Sequence, residues 1–178
     1  LTRRLPETVE ALLRERFDVT LNPDDRRLDD EALLDALARS DAVVSTLGDP
    51  FSAELFRRAK CRASIIAHFG VGYDNIDVQA ARALGVVVTN TPGVLTEDTA
   101  DLAIALLLAS SRRASEGERE LRAGQWTGWR PTHLLGTRVS GKTLGIVGFG
   151  RIGQAVARRA SQGFGMRVDR KSTRLNSS

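Results

Sequence analysis

Three glycines at positions 148, 150 and 153 carry the clearest chemical signal in the sequence, a Gly-x-Gly-x-x-Gly pattern. An apolar run at 143–147 precedes them and a helical pattern at 152–162 follows. A strand, a tight glycine turn and a helix in that order form the phosphate-binding unit of dinucleotide-binding folds. Gly148 would permit the turn, Gly150 would let the main chain approach a pyrophosphate, and Gly153 would let the helix pack closely on the strand.

The start of the helix that follows these glycines would offer main-chain N–H groups to an anion. Near Arg151 and Ile152 these groups would face a pyrophosphate, at the positive end of the helix dipole. The pattern therefore predicts NAD or NADP as the cofactor, and a glycine-rich turn that binds nothing is the alternative. An acidic residue about 20 positions further on commonly selects NAD. Asp169 lies near that distance, but it opens the segment 169–178, which does not fit the fold pattern, so it is not assigned this role.

A second phosphate-binding pattern overlaps the first. The segment 136–143, GTRVSGKT, matches the GxxxxGK[ST] pattern of a nucleoside-triphosphate-binding loop. That loop functions because a helix begins at its lysine. Here the apolar run 143–147 follows Lys142 and is typical of a strand. We therefore predict a polar turn at 140–142, with nucleotide hydrolysis as the disfavoured alternative.

Another pair of glycines, in the order Gly70-Val71-Gly72, directly follows an apolar strand. The main-chain N–H groups there would emerge at the carboxyl edge of a parallel sheet, where ligands bind in such folds. Two glycines leave room for a carboxylate to approach successive N–H groups. The alternative is a turn that requires positive φ. For the nearby His68 we expect a plain structural role, and for His133 a solvated or interfacial one.

Helical and extended patterns alternate along the chain and would position these residues. Asp29, Ser52 and Thr96 are predicted helix N-caps, and Asp74 and Asp77 are both predicted to cap the helix that follows them. Short apolar strands separated by single helices indicate a parallel sheet covered on both faces. The predicted strands are 42–46, 64–69, 86–89 and 143–147, with a short extended stretch at 17–21 and a strand beginning at 166; helices are predicted at 6–16, around 29–37, 52–60, 78–84, 96–113, 116–123 and 152–162.

Composition narrows the functional class. The 178 residues are 42% hydrophobic and 27% charged, which suits a folded chain of one large or two small domains. The longest apolar run, 102–109, is too short for a membrane span, and no secretory signal is evident. The single cysteine, Cys61, gives no internal disulfide or metal cluster and suits a reducing cytoplasm. Basic residues are dispersed among acids, and aromatic residues are not interleaved with them, so nucleic-acid binding is not expected.

Both ends of the sequence depart from the alternating pattern. The apolar periodicity stops after residue 168, and the segment 169–178, DRKSTRLNSS, resembles a translated sequencing adapter. We exclude it from the fold argument as a non-native tail. The sequence also begins without the strand that the pattern leads one to expect. We therefore interpret the chain as a fragment.

Three segments in order give the sequence a family resemblance: HFGVGYDNIDVQAA at 68–81, NTPGVLTEDTADLAIALLLASSRR at 90–113 and GQWTGWRPTHLLGTRVSGKTLGIVGFGRIGQAVA at 124–157. The chain resembles the D-isomer-specific 2-hydroxyacid dehydrogenases, particularly their glyoxylate/hydroxypyruvate reductase branch. The resemblance implies an α/β fold with a flavodoxin-like parallel-sheet substrate domain over 1–95. An interdomain helix and the first βαβ part of a Rossmann dinucleotide-binding domain would follow over 96–168.

This resemblance also implies a reaction. Members of the family pass hydride between NAD(P)H and a small 2-oxo or 2-hydroxy acid, while a histidine, an arginine and a glutamate act on the substrate. Those three residues lie beyond the glycine motif in the family, so this chain has no catalytic residue to assign and is expected to be inactive by itself. The alternative is a non-catalytic dinucleotide-binding protein that resembles the corepressor relatives of the family.

Several site residues follow from the resemblance alone. Val71 and Gly72 correspond to the positions that bind the substrate acid, and Leu47 to an apolar wall beside it. Thr99 corresponds to a position that contacts the nicotinamide end of the cofactor. Trp129 is predicted to line the substrate pocket or to lie at the contact of a homodimer, the assembly that the family forms.

Overall fold

The computed structural model describes residues 1–171, and the chain forms two compact units, Leu1–Pro92 and a second unit from Gly93 onward. The change of unit lies close to the predicted one at 95–96. No helix in the described part of the chain is long and apolar enough to cross a membrane.

The first unit is a parallel three-stranded sheet with helices between its strands. Its strands lie in the order β1-β2-β3, with Val43 beside Ile66 and Ile66 beside Val88. The parallel arrangement predicted from the apolar strands is therefore confirmed. In chain order the elements are α1 (Glu7–Arg16), α2 (Asp30–Arg39), β1 (Ala42–Thr46), α3 (Ala53–Arg58), β2 (Ile65–Phe69), α4 (Val78–Ala83) and β3 (Val87–Thr89).

Three predicted N-caps of this unit are confirmed. The side chains of Asp29, Ser52 and Asp77 accept hydrogen bonds from the N–H groups three residues later, at distances of 2.9, 3.2 and 2.9 Å. Each bond satisfies an N–H group that has no partner within its own helix. The helices thus begin at defined residues, and they cover an apolar core made by Leu33, Leu37, Val43, Phe51, Leu55, Phe56, Ala63, Ile66, Ile76, Ala81 and Val86.

Ion pairs hold the first residues of the chain against this unit. The guanidinium of Arg3 bonds Asp25 at 2.8 Å, and that of Arg4 bonds Glu10 at 2.7 Å. These hydrogen bonds favour the ionised acids and hold the pKa of the Asp25 and Glu10 carboxyls below their usual values. Thr2, which is almost fully buried, donates its N–H to the Val44 carbonyl in the middle of β1 at 3.0 Å.

Over residues 93–171 the second unit contains a two-stranded parallel sheet and three helices: α5 (Thr96–Ser111), α6 (Ala114–Arg122), β4 (Thr143–Val147), α7 (Arg151–Phe164) and β5 (Arg167–Lys171). Arg159 of α7 bonds Asp101 of α5 at 2.5 Å, beside a small core that includes Ile104 and Ala160. These contacts fix α7, and with it the turn that connects β4 to α7.

Two of the predicted helix caps are wrong. The stretch 17–21, predicted to be extended, pairs with no strand of the described sheets, and its Thr20 carbonyl accepts a bond from the Leu1 amino group at 2.8 Å. Thr96 is not an N-cap, because α5 already includes it and Leu95 occupies the cap position. Asp74 makes no capping bond, since α4 begins at Val78 and Asp77 supplies that bond.

The predicted tail begins inside a strand. β5 continues through Lys171, because main-chain pairing with β4 does not depend on apolar side chains. The pairing extends three residues past the predicted limit at 168. The remainder of the predicted tail, 172–178, lies outside the described residues.

Candidate functional site

The carboxyl ends of β1 and β2 lie side by side, since Thr46 is paired with Phe69. The loops that follow these two strands therefore begin at the same edge of the sheet. One loop starts with Leu47, and the other contains the predicted acid-binding residues Val71 and Gly72. This edge is where open parallel sheets bind their ligands.

Three successive carbonyl groups in the second loop are each engaged by a donor. The Gly70 carbonyl accepts from the Thr91 N–H at 2.9 Å, and the Val71 carbonyl from the Asn90 side-chain amide at 2.8 Å. The Gly72 carbonyl accepts from Nε2 of His68 at 2.9 Å. Main chain that carries three bonded carbonyls in a row has little freedom to rotate its peptide planes.

The bonded carbonyls determine where the N–H groups point. The peptide bonds of the described residues are all trans, so each N–H points in the opposite direction from the carbonyl of the same peptide group. The N–H groups of Val71, Gly72 and Tyr73 are therefore directed away from those three donors. Among the described residues none of these N–H groups has an acceptor. A row of unpaired, fixed N–H groups is suited to bind an anion such as a carboxylate.

Of the two glycines of this loop only Gly70 is needed for space, and neither is needed for positive φ. Neither Gly70 nor Gly72 has a positive φ angle, so the alternative explanation of a positive-φ turn is wrong. A Cβ atom on Gly70 would lie 2.6 Å from Nε2 of His68 and 3.1 Å from Cδ2 of Leu47. A Cβ atom on Gly72 would meet nothing closer than Asp74, at 3.8 Å.

Leu47 lies beside this loop, because its side chain reaches the space next to Gly70. Its side chain is 63% exposed, so it forms an open apolar surface next to the unpaired N–H groups. The structure therefore brings together three of the residues predicted to bind substrate, Leu47, Val71 and Gly72.

A buried carboxylate supports the loop that contains Leu47. Asp49 is fully buried and accepts bonds from the Thr46 N–H at 2.7 Å and the Thr2 hydroxyl at 2.5 Å. The side-chain amide of Asn75 donates to the Asp49 carbonyl at 2.8 Å and so connects the two loops. The bonds to Oδ2 of Asp49 offset part of the cost of burying its carboxyl group and hold the edge in one conformation. Oδ1 of Asp49 and Oδ1 of Asn75 are buried without a hydrogen-bond partner among the described residues.

The second unit contains the predicted dinucleotide-binding turn. β4 leads into Gly148, whose φ of 90° is accessible to glycine at little cost. Gly150 is the N-cap of α7, and a Cβ atom there would meet no atom within 4 Å. At Gly153 a Cβ atom would overlap the Gly148 carbonyl oxygen, so the helix packs directly on the turn. The three glycines thus have the backbone geometry expected of a pyrophosphate-binding turn.

α7 begins without a side-chain cap. Its first internal bond runs from the Gln154 N–H to the Gly150 carbonyl at 3.0 Å. The N–H groups of Arg151, Ile152 and Gly153 have no acceptor among the described residues. These groups and the positive end of the helix dipole are suited to hold a pyrophosphate, so the residues fit a dinucleotide.

The overlapping GxxxxGK[ST] pattern does not form a phosphate-binding loop. Lys142 precedes strand β4 and no helix begins there, and its N–H donates to the Val139 carbonyl at 3.0 Å. Gly141 has a φ of 74° in the predicted polar turn. Gly136 instead serves close packing, since a Cβ atom there would lie 2.7 Å from the Ser111 carbonyl oxygen.

The remaining predicted residues also lie in the second unit. Thr99 is exposed in the first turn of α5. Trp129 is 83% exposed in the loop after α6. His133, in the same loop, lies 2.8 Å from Glu120 of α6 and 3.0 Å from the guanidinium of Arg130. These contacts connect the loop to α6.

Sequence reasoning missed Tyr73, Asn90 and Thr91. Asn90 and Thr91 are the first residues of the NTPGV stretch that contributed to the resemblance. The Asn90 side-chain amide and the Thr91 N–H donate to carbonyls of the loop after β2, about 20 residues earlier in the sequence. Asn90 directly follows strand β3, and this position was the available signal. The carboxyl ends of neighbouring parallel strands meet at one sheet edge, so a polar residue there lies near the loop that follows β2.

The fold and the glycine turn together define a parallel α/β protein of the Rossmann type. The sequence profile described as the D-isomer-specific 2-hydroxyacid dehydrogenase catalytic domain matches residues 1–170. The chain therefore belongs to the D-isomer-specific 2-hydroxyacid dehydrogenase family.

Individual relatives agree with this assignment. The glyoxylate reductase of Thermococcus onnurineus (strain NA1) is 48% identical over 172 residues, which cover 94% of this chain and 51% of that protein. The glycerate dehydrogenase of Hyphomicrobium methylovorum is 40% identical, with 100% of this chain and 55% of that protein covered. A crystal structure of an NAD-binding D-isomer-specific 2-hydroxyacid dehydrogenase from Polaromonas sp. JS6 66 is similar with a TM-score of 0.87 and 40% identity. The similarity covers 99% of this chain and 55% of that one. The chain spans about half the length of the curated relatives it matches.

Proposed function

We propose that this chain forms the acid-binding and pyrophosphate-binding parts of an NAD(P)-dependent reductase of small 2-oxo acids, with glyoxylate or hydroxypyruvate as substrate. The observation that carries the proposal is the row of unpaired N–H groups at Val71, Gly72 and Tyr73, held by three bonded carbonyls. The names of the similar glyoxylate reductase and glycerate dehydrogenase support this substrate class.

Different residues of the chain would bind the substrate acid and the dinucleotide. The N–H groups of Val71, Gly72 and Tyr73 would hold the substrate carboxylate, and the exposed side chain of Leu47 would contact its carbon atoms. A bound nicotinamide dinucleotide supplies or accepts the hydride in this chemistry. Its pyrophosphate would be held by the glycine turn at 148–153, and Thr99 would contact its nicotinamide end.

The proton-donating histidine of the family lies beyond the glycine turn, and the only two histidines of this sequence come before it. His68 has both ring nitrogens bonded within the first unit, and His133 contacts Glu120 and Arg130. We therefore propose that the 178 residues bind ligands but do not turn them over. Glyoxylate-dependent oxidation of NADPH by this chain would contradict that proposal.

We also propose that the intact protein is a homodimer with Trp129 in its contact or in the substrate pocket. Leu121, Trp126 and Leu135, which are near Trp129 in the sequence, are also more than half exposed, so several apolar side chains are available to a second copy. Trp129→Ala in the intact enzyme should weaken association or raise the KM for the acid. Unchanged sedimentation and unchanged KM together would show that Trp129 has neither role.

Ligand titrations of the ¹⁵N-labelled chain test the binding functions separately. NADH should shift the amide signals of Arg151 and Ile152, and glyoxylate those of Val71 and Gly72. Gly150→Asp places a negative charge beside the expected pyrophosphate, in open space, and should weaken NADH binding at least roughly tenfold. Gly163→Asp is the matched control, because position 163 is also open but lies in the last turns of α7.

The outcomes separate the candidate functions. Binding of NADH without any response to glyoxylate would favour the non-catalytic dinucleotide-binding protein. Equal NADH affinity of Gly150→Asp and the parent chain would exclude the glycine turn as the cofactor site.

A further inference from the structure

His68 has both ring nitrogens engaged at a buried position. Nε2 lies 2.9 Å from the Gly72 carbonyl oxygen, and Nδ1 lies 3.0 Å from the hydroxyl of Ser45. A carbonyl oxygen only accepts, so Nε2 carries the hydrogen of the bond to Gly72, and Nδ1 shares a hydrogen bond with the Ser45 hydroxyl. Ser45 is fully buried and is the register partner of His68 across β1 and β2. The ring orientation is therefore fixed from two sides.

The bond to Gly72 determines the orientation of one peptide plane. The Gly72 carbonyl points at the ring, so the Tyr73 N–H of the same peptide group must point in the opposite direction, away from the ring. Without the His68 donor this plane could rotate and turn its carbonyl oxygen toward a bound carboxylate, which would repel it. A single hydrogen bond thus decides whether the loop presents a donor or an acceptor at this point.

The main chain has adapted to the ring. A Cβ atom at position 70 would lie 2.6 Å from Nε2 and 3.0 Å from Cδ2 of His68, closer than carbon packs against a ring. The ring is buried and bonded at both nitrogens, so it has no alternative place to occupy. The position of the His68 ring therefore requires a glycine at position 70.

We infer that His68 is a positioning residue for the acid-binding loop, and that Ser45 acts through it by orienting the imidazole. The inference rests on the proposed function, since it assigns His68 to the same carboxylate site. His68 itself does not contact the acid. It fixes the loop so that the Tyr73 N–H, next to those of Val71 and Gly72, is ready to bind before the acid arrives, which lowers the entropy cost of binding.

Glyoxylate titrations of three single variants and one double variant test this role, with affinity read from the amide shifts of Val71, Gly72 and Tyr73. His68→Leu removes both ring bonds and should weaken glyoxylate binding roughly tenfold, the effect of losing about one hydrogen bond. His68→Gln should recover most of the affinity, because its side-chain amide can donate to the same carbonyl. Ser45→Ala should weaken binding by a smaller factor and add little to His68→Leu in the double variant.

Controls separate positioning from general stability. Ser64→Ala removes a hydroxyl just before β2, at the opposite end of the sheet, and should leave the affinity for glyoxylate unchanged. Urea unfolding identifies any variant that fails to fold. If His68→Leu does not fold, the comparison of Ser45→Ala with Ser64→Ala tests the positioning role instead. Ser45→Ala should weaken glyoxylate binding, and Ser64→Ala should not.

The possible results are distinct. If the parent chain binds glyoxylate and both His68→Leu and Ser45→Ala bind it equally well, the positioning role is wrong while the proposed function stands. If the parent chain shows no glyoxylate response at Val71 or Gly72, the acid site itself is wrong and the inference falls with it.

Discussion

Two glycines of the same helix should respond in opposite ways to replacement by alanine. Gly153 and Gly163 both lie in α7, where alanine is normally favoured over glycine by about 0.5–1 kcal/mol. A Cβ atom at Gly163 meets no atom within 4 Å, so Gly163→Ala should gain about that amount. A Cβ atom at Gly153 would instead lie less than 3.0 Å from the Gly148 carbonyl oxygen and 3.3 Å from Cγ2 of Ile146.

The clash at Gly153 is with main chain, which cannot move aside as a side chain can. The first turn of α7 would have to separate from the β4–α7 turn by several tenths of an ångström or more. Such overpacking costs about 1–3 kcal/mol, which exceeds the helix-propensity gain. We therefore expect Gly153→Ala to be destabilised by roughly 1–2 kcal/mol, and its turn to lose affinity for NADH.

Urea unfolding followed by circular dichroism measures both changes, with the NMR signals of α7 assigning the transition to the second unit. With a denaturant slope of about 2 kcal/mol/M, Gly163→Ala should raise the midpoint by roughly 0.2–0.5 M and Gly153→Ala should lower it by roughly 0.5–1 M. A Gly153→Ala variant as stable as Gly163→Ala would refute the close approach of helix and turn.

Two further perturbations test the first unit. Because its bond with Arg4 lowers the pKa of Glu10, the ionised acid contributes stability above its ordinary pKa of 4.5, and this contribution is lost as the pH falls through the lowered value. Glu10→Gln should therefore lower the urea midpoint at pH 7 and make the midpoint less dependent on pH under acidic conditions. Glu15→Gln, at an exposed position, should do neither. Leu37→Ala, at a fully buried position, should cost about 2–5 kcal/mol, whereas Leu12→Ala, 55% exposed, should cost far less; equal unfolding midpoints for this pair would contradict the core assignment.

Local signals in the sequence were sufficient for much of the fold. Asp29, Ser52 and Asp77 cap their helices as predicted, because a cap bond joins residues only three positions apart. Thr96 has the right residue type as well, but α5 begins with it and leaves it no capping position. The length of a strand was harder to predict: β5 continues past its apolar residues, since its ladder with β4 is made by main-chain atoms.

The candidate site likewise contains residues that a local sequence pattern predicts and residues that only the structure identifies. Val71 and Gly72 could be predicted from a strand followed by glycines, which is a local pattern. Asn90 could not, because its bond to the Val71 carbonyl joins residues that are 19 positions apart and adjacent only through the β2–β3 pairing. His68 was expected to be structural, and the structure shows the specific bond to Gly72 from which a positioning role is inferred.

The amino-acid sequence by itself determined the alternation of helices and parallel strands, the two glycine loops and the family. These depend on periodicity, caps and spacing, which operate over a few residues. Only the tertiary structure decided which way the peptide planes of 70–73 face and why Gly70 and Gly153 must be glycine. Those properties are set by atoms of neighbouring elements, a buried imidazole and a main-chain carbonyl, whose positions exist only once the strands and helices have packed.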